Sequence, residues 1–283
     1  MCLSRVVVGG VSVPCDRPRQ SAKTLANPTL SAVSIGALVQ AMDTAEFKEA
    51  LIGLMEAKHH WAWSLFTSGQ VAADRLHVHF EQEYATYVRD FAILLGRAYV
   101  QCPIPEIRAE LAENIYEEET GKLSVGKAHA ELFLCYPAGL GMDVERFKDV
   151  TMLHEAARYR AYVDEATLEC GWEAAMVVAT IFLEGNEYER AVLDADAPKR
   201  PEPDLSEHPL VKHYGLDPSS LALTRAHRMV EAGHRQVAWS MVDAISPAVY
   251  PQVLSSMEEI LSRWHTYRDA VARACGLVRP VTS

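Results

Sequence analysis

The residues best suited to metal chemistry are His227, Glu231 and His234, which lie close together near the carboxyl end of the chain. A helix turns by about 100° per residue, so offsets of four and seven positions return to within roughly 40° of the starting direction. The three side chains therefore share one stripe of a helix. Imidazole and carboxylate without thiolate suit iron, manganese or zinc. The same spacing also arises by chance on a solvated helix face, because the chain has 11 His and 38 acidic residues.

Glu184 is a second candidate ligand because it directly follows an apolar run over residues 174–183. A helix that is apolar on all sides is buried, and a carboxylate placed there is costly without a compensating partner. Metal coordination would compensate it. The alternatives are an ion pair with Arg or Lys, or an exposed helix end near Asn186 and Glu187.

An acidic run over residues 117–119, followed by His129, supplies further candidate donors. Acidic runs are commonly solvated faces, and a lone His beside apolar residues is commonly a packing residue. Taken with Glu184 and the helical stripe, however, they provide enough donors for two metals. Helix bundles bind paired irons through inward-pointing carboxylates and imidazoles of this kind.

The apolar spacing from about Asp43 onward is helical, and no alternating run is long enough for a sheet. The sequence therefore predicts an all-α, single-domain protein over residues 43–283, preceded by a poorly structured arm over residues 1–42. Residues 198–203 are rich in proline and predict a connector inside the domain. The helices are predicted at 44–67, 71–99, 104–119, 127–138, 143–164, 167–194, 217–244 and 247–274.

Composition excludes several classes of protein. The chain has 283 residues, 49% of them hydrophobic and 23% charged, which is typical of a globular protein. A formal charge of −11 argues against a nucleic-acid-binding surface. No apolar run reaches the roughly 18 residues of a membrane helix. The cysteines are scattered without a Cys-x-x-Cys pair, so reduced thiols in the cytoplasm are expected.

The sequence resembles the heme-oxygenase-like di-iron oxidases and oxygenases, a seven-helix family related in fold to thiaminase II and the coenzyme PQQ synthase. The matching fragments follow the family's order. They are Asn114-Ile-Tyr-Glu-Glu-Glu-x-Gly, His129-Ala-Glu-Leu-Phe, Glu184, and His227-x-x-x-Glu231-x-x-His234. Fragments from His60 and from Phe80 also resemble the family's first two helices, so that the resemblance covers about residues 45–275.

The resemblance implies two Fe(II) ions, with O2 as co-substrate. Of the three adjacent carboxylates, the register relative to Asn114 and Gly121 favours Glu118, while Glu117 and Glu119 are interpreted as helix-end charges. The implied ligands are Glu118, His129, Glu184, His227, Glu231 and His234, of which Glu118, Glu184 and Glu231 are also predicted to be catalytic. The family usually has Asp where this chain has Glu231, whose extra methylene predicts a loosely held second iron.

The implied function is oxidation of a small molecule. We expect an aliphatic amino acid that undergoes C–H cleavage, leading to desaturation, fragmentation or intramolecular C–N bond formation. N-oxygenation of an amino acid or amine and oxidative decarboxylation of a fatty acid are the alternatives within the family. A metal-free thiaminase-like hydrolase with a cysteine nucleophile and a helical binding protein are alternatives from other classes. A homodimer is possible, and neither nucleic acid nor membrane is expected as a partner.

The sequence does not single out a substrate-binding residue. Arg225, Arg228 and Arg235 follow the metal stripe at offsets that point elsewhere on the helix, and surface salt bridges are expected for them. Several aromatic residues are equally compatible with the core and with a pocket, namely Trp61, Trp63, Tyr84 and Tyr87.

Overall fold

The computed structural model describes residues 42–194 and 204–280, apart from the side chains at 192 and 230–232. The described residues form helices and no strand, which confirms the predicted all-α class. The α-helices are α1 (Thr44–Glu56), α2 (Trp63–Thr67), α3 (Leu76–Glu83), α4 (Phe91–Gln101), α5 (Pro105–Thr120), α6 (His129–Gly139), α7 (His154–Leu168), α8 (Gly171–Met176), α9 (Glu189–Leu193), α10 (Pro209–Tyr214), α11 (Ala222–Met241) and α12 (Tyr250–Ala274).

Two π-helical segments extend α-helices within the described ranges. Tyr84–Val88 continues α3, and Val177–Leu183 continues α8. Wide turns of this type often lie at functional sites. Short 3-10 segments occupy Ala73–Arg75, Val144–Lys148, Leu205–Glu207, Pro218–Ser220, Val242–Ala244 and Pro247–Val249.

The centre of the fold is α8 with its π-helical continuation. Every residue from 174 to 183 is buried, as the apolar run predicts. Helices α4, α7, α11 and α12 all contact this continuous rod. Tyr159 of α7 stacks on Tyr267 of α12 with 5.1 Å between ring centroids. Glu184, the next residue, therefore lies at the carboxyl end of this buried rod.

Two predicted helices are interrupted where other hydrogen bonds replace those of the helix. The 44–67 helix ends at Glu56, and the His60 ring then accepts a hydrogen bond from the Ala62 amide at 3.2 Å, a local bond that competes with helix formation. The 71–99 helix breaks at Asp90, because the Thr86 carbonyl accepts from the Arg160 guanidinium at 3.1 Å instead of from the Asp90 amide.

Two further predicted helices are shorter than expected. The 143–164 helix is a 3-10 segment followed by α7, which begins only at His154. The 167–194 helix is interrupted after Glu184, where the Asn186 side chain accepts from the Tyr188 amide at 2.9 Å and the Glu189 side chain accepts from the Asn186 amide at 3.0 Å. The bounds of α5, α6 and α12 agree with the prediction to within a few residues.

Residues 1–41 and 198–203 lie outside the described residues, so the predicted arm, connector and domain boundary stay predictions. Among the described helices, none combines the length and apolar character that crossing a membrane requires.

Candidate metal centre

The carboxyl end of α5 brings two acidic residues toward the interior. The buried face of this helix contains Ile107, Leu111, Asn114 and Glu117, spaced by four and three residues. Glu118 follows and is only partly buried. The helix ends at Gly121, whose φ of 59° is left-handed and whose missing Cβ leaves room for the Lys127 carbonyl.

The loop that follows Gly121 folds back over Glu117. The Leu123 amide donates to one carboxylate oxygen of Glu117 at 2.7 Å, and the Ser124 hydroxyl donates to the other. Glu117 is completely buried, so these donors offset the cost of removing its charge from water. Its interpretation as a helix-end charge is therefore wrong, whereas Glu119 is exposed as expected.

His129, the first residue of α6, lies between the two carboxylates. Its Nε2 is 3.2 Å from Glu117 Oε1, and its Nδ1 is 2.8 Å from Glu118 Oε1. Burial lowers the pKa of His129, but the adjacent carboxylates of Glu118 and Glu117 together raise it above its usual value. The Nδ1 contact is short without hydrogen-bond geometry, which leaves this buried atom without a hydrogen-bond partner in the described residues.

Glu184 reaches the same region from the end of the π-helical segment. The Asn114 side-chain amide donates to Glu184 Oε1 at 2.5 Å. Burial, followed by the nearby charge of Glu118, raises the pKa of Glu184 to about 8. No Lys or Arg of the described ranges forms an ion pair with Glu118 or Glu184, which removes one alternative for Glu184.

His227 and His234 come from α11. The His227 ring lies 5.2 Å from the His129 ring, centroid to centroid. Desolvation, with the neighbouring His129 and His234, lowers the pKa of His227 to about 4. Desolvation also lowers the pKa of His234. Both rings are therefore neutral near pH 7 and can offer a lone pair to a cation. Glu231 lies between them on α11, but its side chain is outside the described atoms.

These side chains line one cavity of about 480 Å³. Of the predicted ligands, the structure brings together Glu118, His129, Glu184, His227 and His234. Apolar side chains from five helical elements complete the wall, including Phe91, Phe133, Leu183, Leu223 and Trp264. Both π-helical segments border the cavity through Val88 and Leu183. Trp63 and Tyr87 also line it, so these two aromatics are pocket residues.

The donor set fits iron. It combines carboxylates with imidazoles and contains no thiolate, which suits hard and borderline metals. Buried His129 Nδ1 and Asn114 Oδ1 have no hydrogen-bond partner, so the polar groups here are incompletely satisfied by the described protein. No three His, Cys, Asp or Glu side chains in the described part of the chain are already arranged as a metal group. Coordination would require these side chains to turn toward a shared ion.

The expectation of surface salt bridges is wrong for Arg235. Its guanidinium is buried, pairs with Glu189 and donates to the Thr180 carbonyl at 2.7 Å. Trp239 Nε1 donates to the same Glu189 carboxylate at 2.8 Å. Gly185 allows this packing, because a Cβ there would lie 2.6 Å from Arg235 Nη2. Nothing in the sequence pairs Arg235 with an acid so distant along the chain.

Arg225 also departs from that expectation. It donates to the backbone carbonyls of Pro218 and Ser219 at 2.9 and 2.7 Å, and it forms no salt bridge among the described residues. It therefore stabilises the 3-10 turn that precedes α11.

A family model described as "iron-containing redox enzyme" matches residues 78–265, about two thirds of the chain. The chain belongs to this family. The matched range includes every predicted ligand. The iron-containing, oxidoreductase character expected from the sequence is therefore shown at the level of the family.

The fold is also found in a solved structure, a TenA homologue from Pseudomonas syringae pv. tomato. The two chains share 11% sequence identity with a TM-score of 0.60, and the match covers 82% of this chain and 96% of the homologue. This likeness confirms the heme-oxygenase-like fold related to thiaminase II, and it carries no information on the reaction. No curated protein matches the sequence.

Proposed function

We propose that this protein is a non-heme di-iron enzyme that uses O2 to oxidise a small molecule, with an aliphatic amino acid as the expected substrate. The observation that carries the proposal is the set of five donors on one cavity wall, which includes the partly buried Glu184 carboxylate, for which the described residues provide no Lys or Arg ion-pair partner. The proposal adds the number of irons, the use of O2 and the substrate to the iron-containing redox character of the family.

Glu118, His129, Glu184 and His227 would hold the more stable iron, and Glu231 with His234 the weaker one. Bound Fe(II) would supply the electrons that reduce O2. Glu117 would orient the His129 ring through Nε2, as outer carboxylates orient imidazole ligands at metal sites. Asn114 would hold Glu184 in the same manner.

The protein also controls water and protons at this site. Phe133, Leu183 and Leu223 present apolar surface to the cavity and limit the water beside the reacting groups. With its pKa at about 8, Glu184 carries a proton near neutral pH in the cation-free protein. That proton must leave the carboxylate when a cation binds.

A thiaminase-like hydrolase is less well supported. Its nucleophile would be a cysteine, and none of the described residues that line the cavity is a cysteine. Cys135, the cysteine of α6, hydrogen-bonds to the Glu131 carbonyl of its own helix instead.

O2 consumption tests the proposal. The full chain is loaded anaerobically with Fe(II) and mixed with aerated buffer containing aliphatic amino acids, amines or fatty acids. We expect substrate-dependent O2 uptake in the wild type and none in His227→Ala or His129→Ala, with the helical circular dichroism retained. His154→Ala is the matched control, because His154 is exposed and does not line the cavity. Wild-type turnover in His227→Ala would refute the ligand assignment.

A further inference from the structure

Lys58 contributes an unusual cation to the cavity wall. Its ammonium group donates to the Phe182 carbonyl at 2.6 Å and to the Gly185 carbonyl at 2.7 Å. It also lies over the Phe182 ring, 4.6 Å from the centroid. An ammonium group has three donors, so these two carbonyls leave one N–H for another acceptor.

No carboxylate of the described residues lies within ion-pair distance of Lys58 Nζ. The two buried arginines near the cavity are both paired with carboxylates, Arg235 with Glu189 and Arg268 with Glu83. Burial lowers the pKa of Lys58 to about 7, as expected for a cation whose counter-charge is missing. A partly buried ammonium group without a carboxylate partner among the described residues can form a strong charge-assisted hydrogen bond with an anion that enters the cavity.

The position of Lys58 connects it to the reaction centre. The two carbonyls that it binds belong to residues on either side of Glu184. An anion held by Lys58 would therefore lie next to the backbone that carries a predicted iron ligand. The wall around it includes the apolar side chains of Trp63, Phe91 and Trp264, which suit a hydrocarbon chain.

We propose that Lys58 binds the carboxylate of the substrate and thereby selects molecules that combine a carboxylate with an apolar chain. The inference rests on the proposed function in that it takes this cavity as the substrate site. An aliphatic amino acid and a fatty acid both provide this chemistry, whereas an amine without a carboxylate does not.

Calorimetric titration tests the proposal with the full chain, stripped of metal by a chelator. Without iron, no metal ion competes with Lys58 for the carboxylate. The ligands are norleucine, hexanoate, pentylamine and methyl hexanoate. We expect norleucine or hexanoate to bind at least about tenfold more tightly than pentylamine and the neutral ester, because only a carboxylate forms a charge-assisted hydrogen bond with the ammonium group of Lys58. Tighter binding of norleucine than of hexanoate would identify the amino acid as the source of the carboxylate.

Lys58→Met should weaken carboxylate binding by about tenfold or more, and Lys58→Arg should retain part of it. Lys48→Met is the matched control, because Lys48 lies in α1, ten residues before Lys58, pairs with Asp243 and does not line the cavity. If Lys58→Met fails to fold, the comparison of hexanoate with its methyl ester in the wild type still decides. Equal binding of acid and ester, no binding of either carboxylate, or unchanged binding in Lys58→Met would overturn the proposal. Iron content and O2 uptake are measured separately. Failure of carboxylate binding therefore does not count against the di-iron proposal, and failure of iron binding does not count against the Lys58 proposal.

Discussion

Two partly buried carboxylates on the wall of one cavity, Glu83 and Glu184, differ in whether a protein cation pairs with them. Glu83 receives a hydrogen bond from the Tyr87 hydroxyl and pairs with the buried Arg268 guanidinium. Burial raises the pKa of Glu83, but Arg268 and its other partners hold it below its usual value. Glu184 has the neutral Asn114 amide as its partner, and its pKa rises to about 8.

The comparison distinguishes a structural carboxylate from one suited to bind an external cation. Removing a carboxylate from water costs several kcal/mol, and a protein cation at Glu83 offsets that cost within the fold. Among the described residues, no such cation reaches Glu184. The neutral rings of His227 and His234 nearby add lone pairs and no positive charge. A metal ion bound beside Glu184, His227 and His234 would therefore lower the free energy of the folded protein. Glu83 already has a protein cation and would gain little from a metal ion.

The largest effect on the free energy of unfolding is expected when the ion pair between Glu83 and Arg268 is broken. Arg268→Met leaves Glu83 charged and buried without its cation, and the free energy of unfolding should fall by about 3–5 kcal/mol. Urea denaturation measures this change. Arg146→Met, which removes an exposed partner of Glu81, should change it by no more than about 1 kcal/mol. A similar small effect in Arg268→Met would mean that Glu83 does not depend on its cation.

The uncompensated carboxylate should make the metal-free protein less stable as pH rises. Folded Glu184 keeps a proton up to about pH 8, while the unfolded residue loses it near the usual glutamate pKa of 4.5. Between these values the folded state binds more protons, so the stability contribution falls with pH by up to about 1.4 kcal/mol per unit. His227 opposes this up to its usual pKa of about 6.5, and Lys58 opposes it above its folded pKa of about 7.

Comparison of the wild type with Glu184→Gln isolates the carboxylate from these opposing groups. Stability measured by urea denaturation from pH 6.5 to 8 should fall in the wild type relative to Glu184→Gln, which cannot ionise. The same pH dependence in both proteins would show that Glu184 is not the protonated group.

A smaller effect is expected from the residue that orients His129. Glu117→Gln preserves the size of the side chain but removes the charge beside Nε2, and loss of such an outer carboxylate typically weakens metal binding 10–100-fold. Anaerobic Fe(II) titration measures the affinity. Glu119→Gln, on the exposed side of the same helix end, is the control. Unchanged iron affinity in Glu117→Gln would leave Glu117 a purely structural residue.

The smallest effect on iron affinity is expected for Glu231→Asp, at the position where the sequence departs from the resembled family. Metal titration should show two separated affinities, because the extra methylene loosens the second site. Glu231→Asp should tighten the weaker affinity or at least retain activity, and Glu231→Ala should keep one iron and lose O2 uptake. Two equally tight irons in the substrate-free protein, or full activity in Glu231→Ala, would contradict this account.

Much of the fold could be predicted from the sequence because helical periodicity and apolar burial act locally. The buried rod over residues 174–183 is the clearest example. Its π-helical geometry could not be predicted, since nothing in the local pattern fixes a wider turn. The break at Asp90 depends on Arg160, which lies 70 positions away in the sequence.

In the candidate site, too, features with a local sequence pattern could be predicted and features that depend on distant residues could not. Helical spacing places His227 and His234 on one stripe, and the apolar run places Glu184 in the core. Glu117 could have been found by continuing the buried spacing of α5 from Leu111 and Asn114, but its loop donors could not. Lys58 carries no local signal, because its partners are backbone carbonyls more than 120 positions away.

In the described part of the chain no Lys or Arg forms an ion pair with Glu184, and we propose that iron supplies the positive charge. Anaerobic Fe(II) titration of the full chain, followed by thermal unfolding and iron analysis, tests this proposal. We expect about two irons per chain, a raised melting temperature at saturating Fe(II) by mass action, and loss of both effects in His129→Ala. A wild-type melting temperature unchanged by saturating Fe(II), with no iron retained, would contradict it.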